Sequence, residues 1–381
     1  QVEVVHVAGE EVELLGQLRA QGGPVPLRVG PEIITVLPPV LGHVPVDLSG
    51  ELIPPGLRIS VRPHRTEHRL PGFELITRTP PASQHRLEEA VLLAPENLDA
   101  HELLGDAYYQ DNDLPSALAQ WEFVAEVNPG RPGLQEKLEK GYREDAVEYD
   151  YKNLHSRHFT ITHAPETDRG LLRQTLTVLE HAYRDIGRNF GNVYPPGPIK
   201  VNVYVADEFT RATALGPHVA AIYDGKIRLP VSDQAGGLIT PQELRRLLYH
   251  EYTHVVVRHL LNEKAPWWLN EGLAETFSND ISPRDVAFMR EAYNNGGLIP
   301  YQRIEATQVT MDSEYELRLA YRQAHVAAQY LWRRYGAQGL SRMMDALARG
   351  VPPEEALLQS YKLNYDRLMK EVVGSVIQSG Q

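Results

Sequence analysis

Cysteine is absent from all 381 residues. That removes disulfides, thiolate zinc ligands and a cysteine nucleophile together, so any metal site must be built from His, Asp and Glu. It leaves the redox compartment open. Long apolar runs are missing too: charge or proline interrupts every greasy stretch well short of the roughly 18 residues that mark a bilayer-spanning helix, and no transmembrane segment is expected. Positive charge is in deficit, with 38 Lys and Arg against 50 Asp and Glu for a formal net charge of −12. Nucleic acid and anionic lipid surfaces, which need clustered basic residues, are therefore not expected partners. The chain begins at Gln1 rather than Met; removal of a leading segment by a signal peptidase would make this an exported protein of the periplasm or cell envelope.

What is present is enough apolar residue, 42% with 23% charged, to build several buried cores over a length that suggests two or three domains. Residues 1–80 are rich in Pro and Gly and hold strand-length apolar runs in "PEIITVLPPVLGHVPV" and "GLRISVRPH". They read as a β-rich module with no catalytic pattern. Over residues 81–150 the apolar spacing becomes helical. Leu104, Gly105, Tyr108, Ala117, Trp121 and Pro129 fall at tetratricopeptide offsets, so this segment resembles a TPR repeat. Pro95 lies 34 residues before Pro129, and Leu138 and Tyr142 lie 34 after Leu104 and Tyr108, which extends the period on both sides. So short an array buries too little alone and is expected to pack on its neighbour, as a spacer or as a binding surface for a protein partner. Residues 151–381 read as strand ("HFTITHA"), helix ("RGLLRQTLTVLEHAYRDIGRNFG"), two strands ("IKVNVYVAD", "DGKIRLPV") and then helices, an α+β arrangement with a small sheet ahead of a helical lobe.

The chemistry concentrates in "LLYHEYTHVVVRHLLNEKAPWWLNEGLAETF", residues 247–277. "TPQE" predicts a helix start with Thr240 as cap, Pro241 at the first position and Glu243 closing a capping box. Nothing breaks that helix before about Leu261. His250 and His254 are one turn apart on one face, so two neutral imidazoles can meet one Zn²⁺, while Glu251 is placed to reach a water instead of the metal. The bare pattern arises by chance in about one such chain in 25. The apolar flanks Leu247, Leu248, Val255 and Val256 sharpen it, because a buried helix holding two histidines and a glutamate needs a partner for them. "WWLNEGLAE" supplies Glu271 as a third ligand, on what reads as the next helix.

His250, Glu251 and His254 followed by "WLNEGLAE" resemble the gluzincin metallopeptidases, the clan of thermolysin and the zinc aminopeptidases, and in particular the peptidase MA-like domain often fused to TPR repeats. The resemblance runs from about His158 to the C-terminus. It implies a zincin-like fold, Zn²⁺ as cofactor, His250, His254 and Glu271 as ligands, and Glu251 as general base in peptide hydrolysis. It also implies that Glu275 hydrogen-bonds a ligand histidine, fixing its tautomer, that Tyr321 stabilises an oxyanion, and that "YDGKIRLPV" lines the substrate cleft. An edge strand around Lys226 to Leu229 would then pair with an extended substrate. The spacer before Glu271 is slightly shorter than in the zinc aminopeptidases, and their motif for a free amino terminus is missing, which points to an endopeptidase. His259 and His325 have no ligand geometry and are assigned surface or packing roles. Two other readings stay open: a TPR-type interaction or scaffold protein carrying an inactive metallopeptidase-like domain, and a metal-dependent hydrolase of a non-peptide bond.

Overall fold

The computed structural model describes the backbone of five strands within 3–61 and residues 80–378 apart from 217–218, 233–235, 263, 307–310 and 312, with side chains over 84–375. It divides into two units, Gln1–Leu75 and Ile76–Gln381. In the first, β1 (Glu3–Val7) and β2 (Glu10–Leu14) form an antiparallel pair, and β3 (Val25–Val29), β4 (Glu32–Leu37) and β5 (Arg58–Val61) form an antiparallel three-stranded sheet.

The second unit opens with four helices: α1 (Pro80–Leu93), α2 (Leu98–Gln110), α3 (Leu114–Val127) and α4 (Leu134–Glu148). Asn97 caps α2 by accepting from the amides of Asp99 and Ala100, and Asp113 caps α3 through the amide of Ser116. Trp121 fills the joint between α2 and α3, its indole donating to Asp106. At Gly105 a Cβ would run into that indole, so the helices meet only because the position carries no side chain.

The sheet that follows has the order β6 (Lys152–His155), β7 (Phe159–His163), β8 (Ile199–Tyr204), β10 (Ile227–Pro230), β9 (Ile222–Tyr223). The inner pairs β7–β8 and β8–β10 are parallel and the outer pairs antiparallel. Alternation along the strands separates two faces. Ile161, Val201, Val203, Ile227 and Leu229 join the main core, packed with α5 (Arg169–Asn189) and α7 (Pro241–Leu261). Thr162, Asn202, Tyr204 and Arg228 point the other way and are buried against α4 and the end of α2 with the turn that follows it. There Asn112 donates to Thr162, Asn202 donates to Asn112 and Glu148, and Lys200 pairs with Asp111 at 2.7 Å.

The centre of that contact is ionic. Arg228 is fully buried and meets Glu144 at 2.8 Å, Asp224 at 3.2 Å and Glu148 at 3.5 Å, with further hydrogen bonds to the hydroxyls of Tyr109 and Tyr204. Lys140 of α4 reaches Asp224 at 2.6 Å, and the ammonium of Lys226 lies 3.9 Å from the centre of the Tyr109 ring. Burial pushes the Lys226 ammonium down to about 8, with Arg228 adding to the push. Burial alone would raise the Asp224 carboxyl, but Arg228 and Lys140 outweigh it and hold it at about 2 against an ordinary 3.8.

A folded-state pKa below the unfolded one stabilises at pH values above the unfolded value, and that contribution fades as pH falls through the folded one. Asp224→Asn is therefore expected to lose about 2 kcal/mol at neutral pH. Its difference from the parent should shrink as the pH drops from about 4 toward 2, which urea titrations at stepped pH would show.

The rest is helical: α6 (Ala206–Thr213) between β8 and β9, then α7, α8 (Trp267–Ser278), α9 (Pro283–Asn294), α10 (Glu314–Ala348), α11 (Pro353–Tyr361) and α12 (Tyr365–Val372). Gly336, at φ 59 and ψ −163, breaks α10 into two helical pieces. Gly272 of α8 faces Ala324 of α10 so closely that a Cβ would strike the Ala324 carbonyl oxygen. That close crossing presses the middle of α10 against the residues around Glu271.

Candidate metal centre

Helix α7 starts where the sequence places it. Thr240 accepts from the amide of Glu243 at 3.2 Å with Pro241 in the first turn. The capping box closes on one side only, because the Glu243 carboxylate is taken by Arg246 at 2.7 and 3.0 Å. The helix runs to Leu261, turns through Asn262 at φ 53, and α8 then carries Glu271 back against the second half of α7. The sixteen residues between His254 and Glu271 are thus helix, turn and helix.

Three ligand-type atoms converge there. His250 Nε2 is 3.6 Å and His254 Nε2 is 3.7 Å from the same oxygen, Glu271 Oε2, and one atom from each residue lies within 4.8 Å of the others. These separations are too long for hydrogen bonds. They approach the ~3.3 Å between ligands that a tetrahedral ion with bonds of about 2.05 Å would require. All three side chains are only 13% exposed, so the donors are held inside the fold. His254 Nδ1 lies 3.0 Å from Asn270 Oδ1, an acceptor that leaves Nε2 free for a cation. His250 Nδ1 is buried without a hydrogen-bond partner and has Glu275 Oε1 at 3.7 Å. Two imidazole nitrogens, one carboxylate oxygen and the groups behind them are a donor set that fits Zn²⁺.

Glu251 is buried beside this triad. Burial pushes its carboxyl up to about 7, with His254 pulling it down and Glu271 pushing it further up. Burial also acts to raise Glu271, but His254 and His250 outweigh it and hold the carboxyl below its usual range. Residues 240–377 match the family model of the Peptidase MA superfamily. The chain therefore carries a Peptidase MA-type, metallopeptidase-like domain there, and the matched segment holds the whole triad. The sheet and the leading helices lie outside it. No curated protein matches the chain.

Within the Peptidase MA segment, Tyr321 is mostly buried with its ring edge-on to Trp267 at 4.9 Å. Burial raises the phenol pKa, and the charges of Glu271, Glu275 and Glu251 raise it further, which keeps the hydroxyl protonated. Glu275 sits between His250 and Arg322, whose Nη1 donates to its Oε2 at 3.2 Å.

His259 is exposed and outside the cluster, its pKa lowered by partial burial of the ring. His325 is fully buried, its Nδ1 3.8 Å from Glu275 Oε2. Asn270 and Arg322 escaped the sequence reading. Asn270 could have been found, since it directly precedes a ligand; Arg322 had no signal, being 47 residues from its partner Glu275.

One expectation is corrected. The strand around Lys226 to Leu229 is not an edge, because Ile222 and Tyr223 pair with Arg228 and Ile227 and cover it. The edge is β9, two residues long and too short to announce itself as a strand. Lys226 and Arg228 are turned into the ion cluster with α4 instead. Near the first turns of α7, an open and mainly apolar groove of about 780 Å³ is lined by Phe209, Val219, Leu238, Ile239 and Leu247, among others. Leu247 is one helical turn before Glu251 on the same face.

Proposed function

We propose that the chain is a zinc-dependent peptidase of the gluzincin type, acting within peptide chains. The observation that carries this reading is the meeting of His250 Nε2, His254 Nε2 and Glu271 Oε2 within 4.8 Å, with Glu251 buried alongside. His250, His254 and Glu271 would hold the ion. When bound, zinc supplies Lewis acidity, which polarises a peptide carbonyl and acidifies water. Glu251 takes a proton from the attacking water onto its carboxylate and delivers that proton to the leaving amine nitrogen. Tyr321, kept protonated by its surroundings, donates a hydrogen bond to the carbonyl oxygen as charge builds there, an effect typically worth a few kcal/mol.

The sheet supports one orientation for such a substrate. The outer side of β9 is the open edge above α7, and an extended peptide would add to it as a further strand. A side chain of that peptide would enter the groove beside Leu247, one turn from Glu251. The leading helices support this cleft from behind, since Lys140 and Glu144 of α4 hold Asp224 and Arg228 of the hairpin that carries β9.

Metal content tests the reading directly. Protein purified without chelator is expected to carry one Zn²⁺ per chain by elemental analysis, and His254→Ala to lose it. A parent chain without stoichiometric metal would end the proposal.

A further inference from the structure

The carboxylate behind His250 is itself held. Glu275 Oε1 faces His250 Nδ1 at 3.7 Å, while Oε2 accepts from Arg322 Nη1 at 3.2 Å. The same guanidinium has its Nε 3.1 Å from Asp285 Oδ1, an ion pair in which the N–H is not aimed to form a hydrogen bond. Asp285 is fixed in turn: the Ser282 hydroxyl donates to its Oδ2 at 2.6 Å and accepts from its amide at 3.1 Å, which makes the pair the N-terminal cap of α9. One guanidinium therefore lies between two carboxylates that come from two helices, hydrogen-bonded to Glu275 and ion-paired with Asp285, a span that its width supplies and a compact ammonium does not. Arg322 has little freedom to be elsewhere. It stands on α10 two residues before Ala324, where α8 and α10 touch at Gly272, and next to Tyr321.

We propose that Arg322, anchored by Asp285, is a positioning residue for the metal centre: it holds Glu275 against His250 and thereby sets how tightly the His250, His254 and Glu271 triad binds Zn²⁺. This rests on the metal-centre reading above. Without Arg322, the Glu275 carboxylate, 9% exposed, loses its charged partner and is free to rotate away from His250. His250 Nδ1, which has no hydrogen-bond partner and faces Glu275 Oε1 at 3.7 Å, then loses the carboxylate placed to close on it and fix its tautomer and ring angle once a metal is bound. Loss of such a supporting partner typically weakens metal affinity by about 10–100-fold. Asp285 acts one step further out, and its removal should give a smaller loss in the same direction.

The test is Zn²⁺ affinity of the full chain, stripped of metal and titrated in competition with a chromophoric chelator. Arg322→Gln is expected to weaken binding by about 10–100-fold, with Arg322→Lys recovering part of the loss because it restores charge without the guanidinium's width. The decisive readout is coupling: in a Glu275→Gln background, Arg322→Gln should weaken binding no further. A merely structural pin between α8, α9 and α10 would weaken it equally in both backgrounds, and that result overturns the proposal. Unchanged affinity in Arg322→Gln also overturns it. Should Arg322→Gln fail to fold, Asp285→Asn carries the test, and affinity equal to the parent's would be the overturning result. A parent chain that binds no Zn²⁺ removes the metal centre and this inference together, whereas a zinc-binding parent with uncoupled variants removes the inference alone.

Discussion

Glu251→Gln should leave the chain folded and metal-loaded while lowering peptide hydrolysis by about 10²–10⁴-fold, the range spanned by loss of a general acid–base group. The substitution keeps the size of the side chain and removes only its ability to take up and return a proton. Folding should not suffer, since Glu251 is 4% exposed and burial already disfavours its charged form; a neutral amide removes that conflict. Metal retention is expected because Glu251 is not among the three converging ligands. Parallel zinc analysis and turnover measurements on a quenched peptide library separate the outcomes. Parent-like turnover in Glu251→Gln would take the general base away from this residue. A parent that binds zinc but cleaves nothing would favour a scaffold carrying an inactive centre.

The second large effect concerns stability. Arg228→Met is expected to cost about 3–5 kcal/mol, the usual penalty for removing one member of a buried ionic group and leaving its partners uncompensated. Glu144 and Glu148 are buried and Asp224 is only 23% exposed, and all three lie within 3.5 Å of the guanidinium. Lys226 does not replace it: its ammonium is 3.7 Å from Glu144 and has no hydrogen-bond partner. Set against total stabilities of about 5–15 kcal/mol, the loss would bring the chain close to unfolding. Urea denaturation followed by far-UV circular dichroism reads it, and a loss under about 1 kcal/mol would mean that water or a neighbouring side chain takes over the role.

Local signals made much of the centre legible. Thr240 and Pro241 announce the start of α7, and the four-residue spacing of His250 and His254 needs only the helical repeat to put both imidazoles on one side. Glu271 could be named because a zinc site needs a third protein ligand, which "WWLNEGLAE" supplies in a pattern resembling the gluzincins. The strands β7, β8 and β10 could be read because each carries a run of β-formers bounded by turn residues. What stayed hidden depends on pairings across long stretches of chain. Arg228 meets Glu144 at a separation of 84 residues, and Arg322 meets Glu275 at 47; neither residue carries any mark of its partner. Even the alternation of β8 was ambiguous, since Asn202 and Tyr204 look like solvent-facing positions until α4 covers them. The strand around Lys226 to Leu229 reads as an edge in the sequence for a different, local reason. Its cover, Ile222–Tyr223, is two residues long.

The contact between α4 and the β9–β10 hairpin also orders events in time. During synthesis Glu144 and Glu148 leave the ribosome some eighty residues ahead of Arg228, and until it arrives their carboxylates have water for company. The four leading helices can form locally and early, whereas closing so long a loop is slow. The β9–β10 hairpin thus gains its ionic neighbours later than the leading helices gain theirs. Residues 250–271, which carry His250, His254 and Glu271, emerge later still, so the triad can come together only beside strands that are already synthesised.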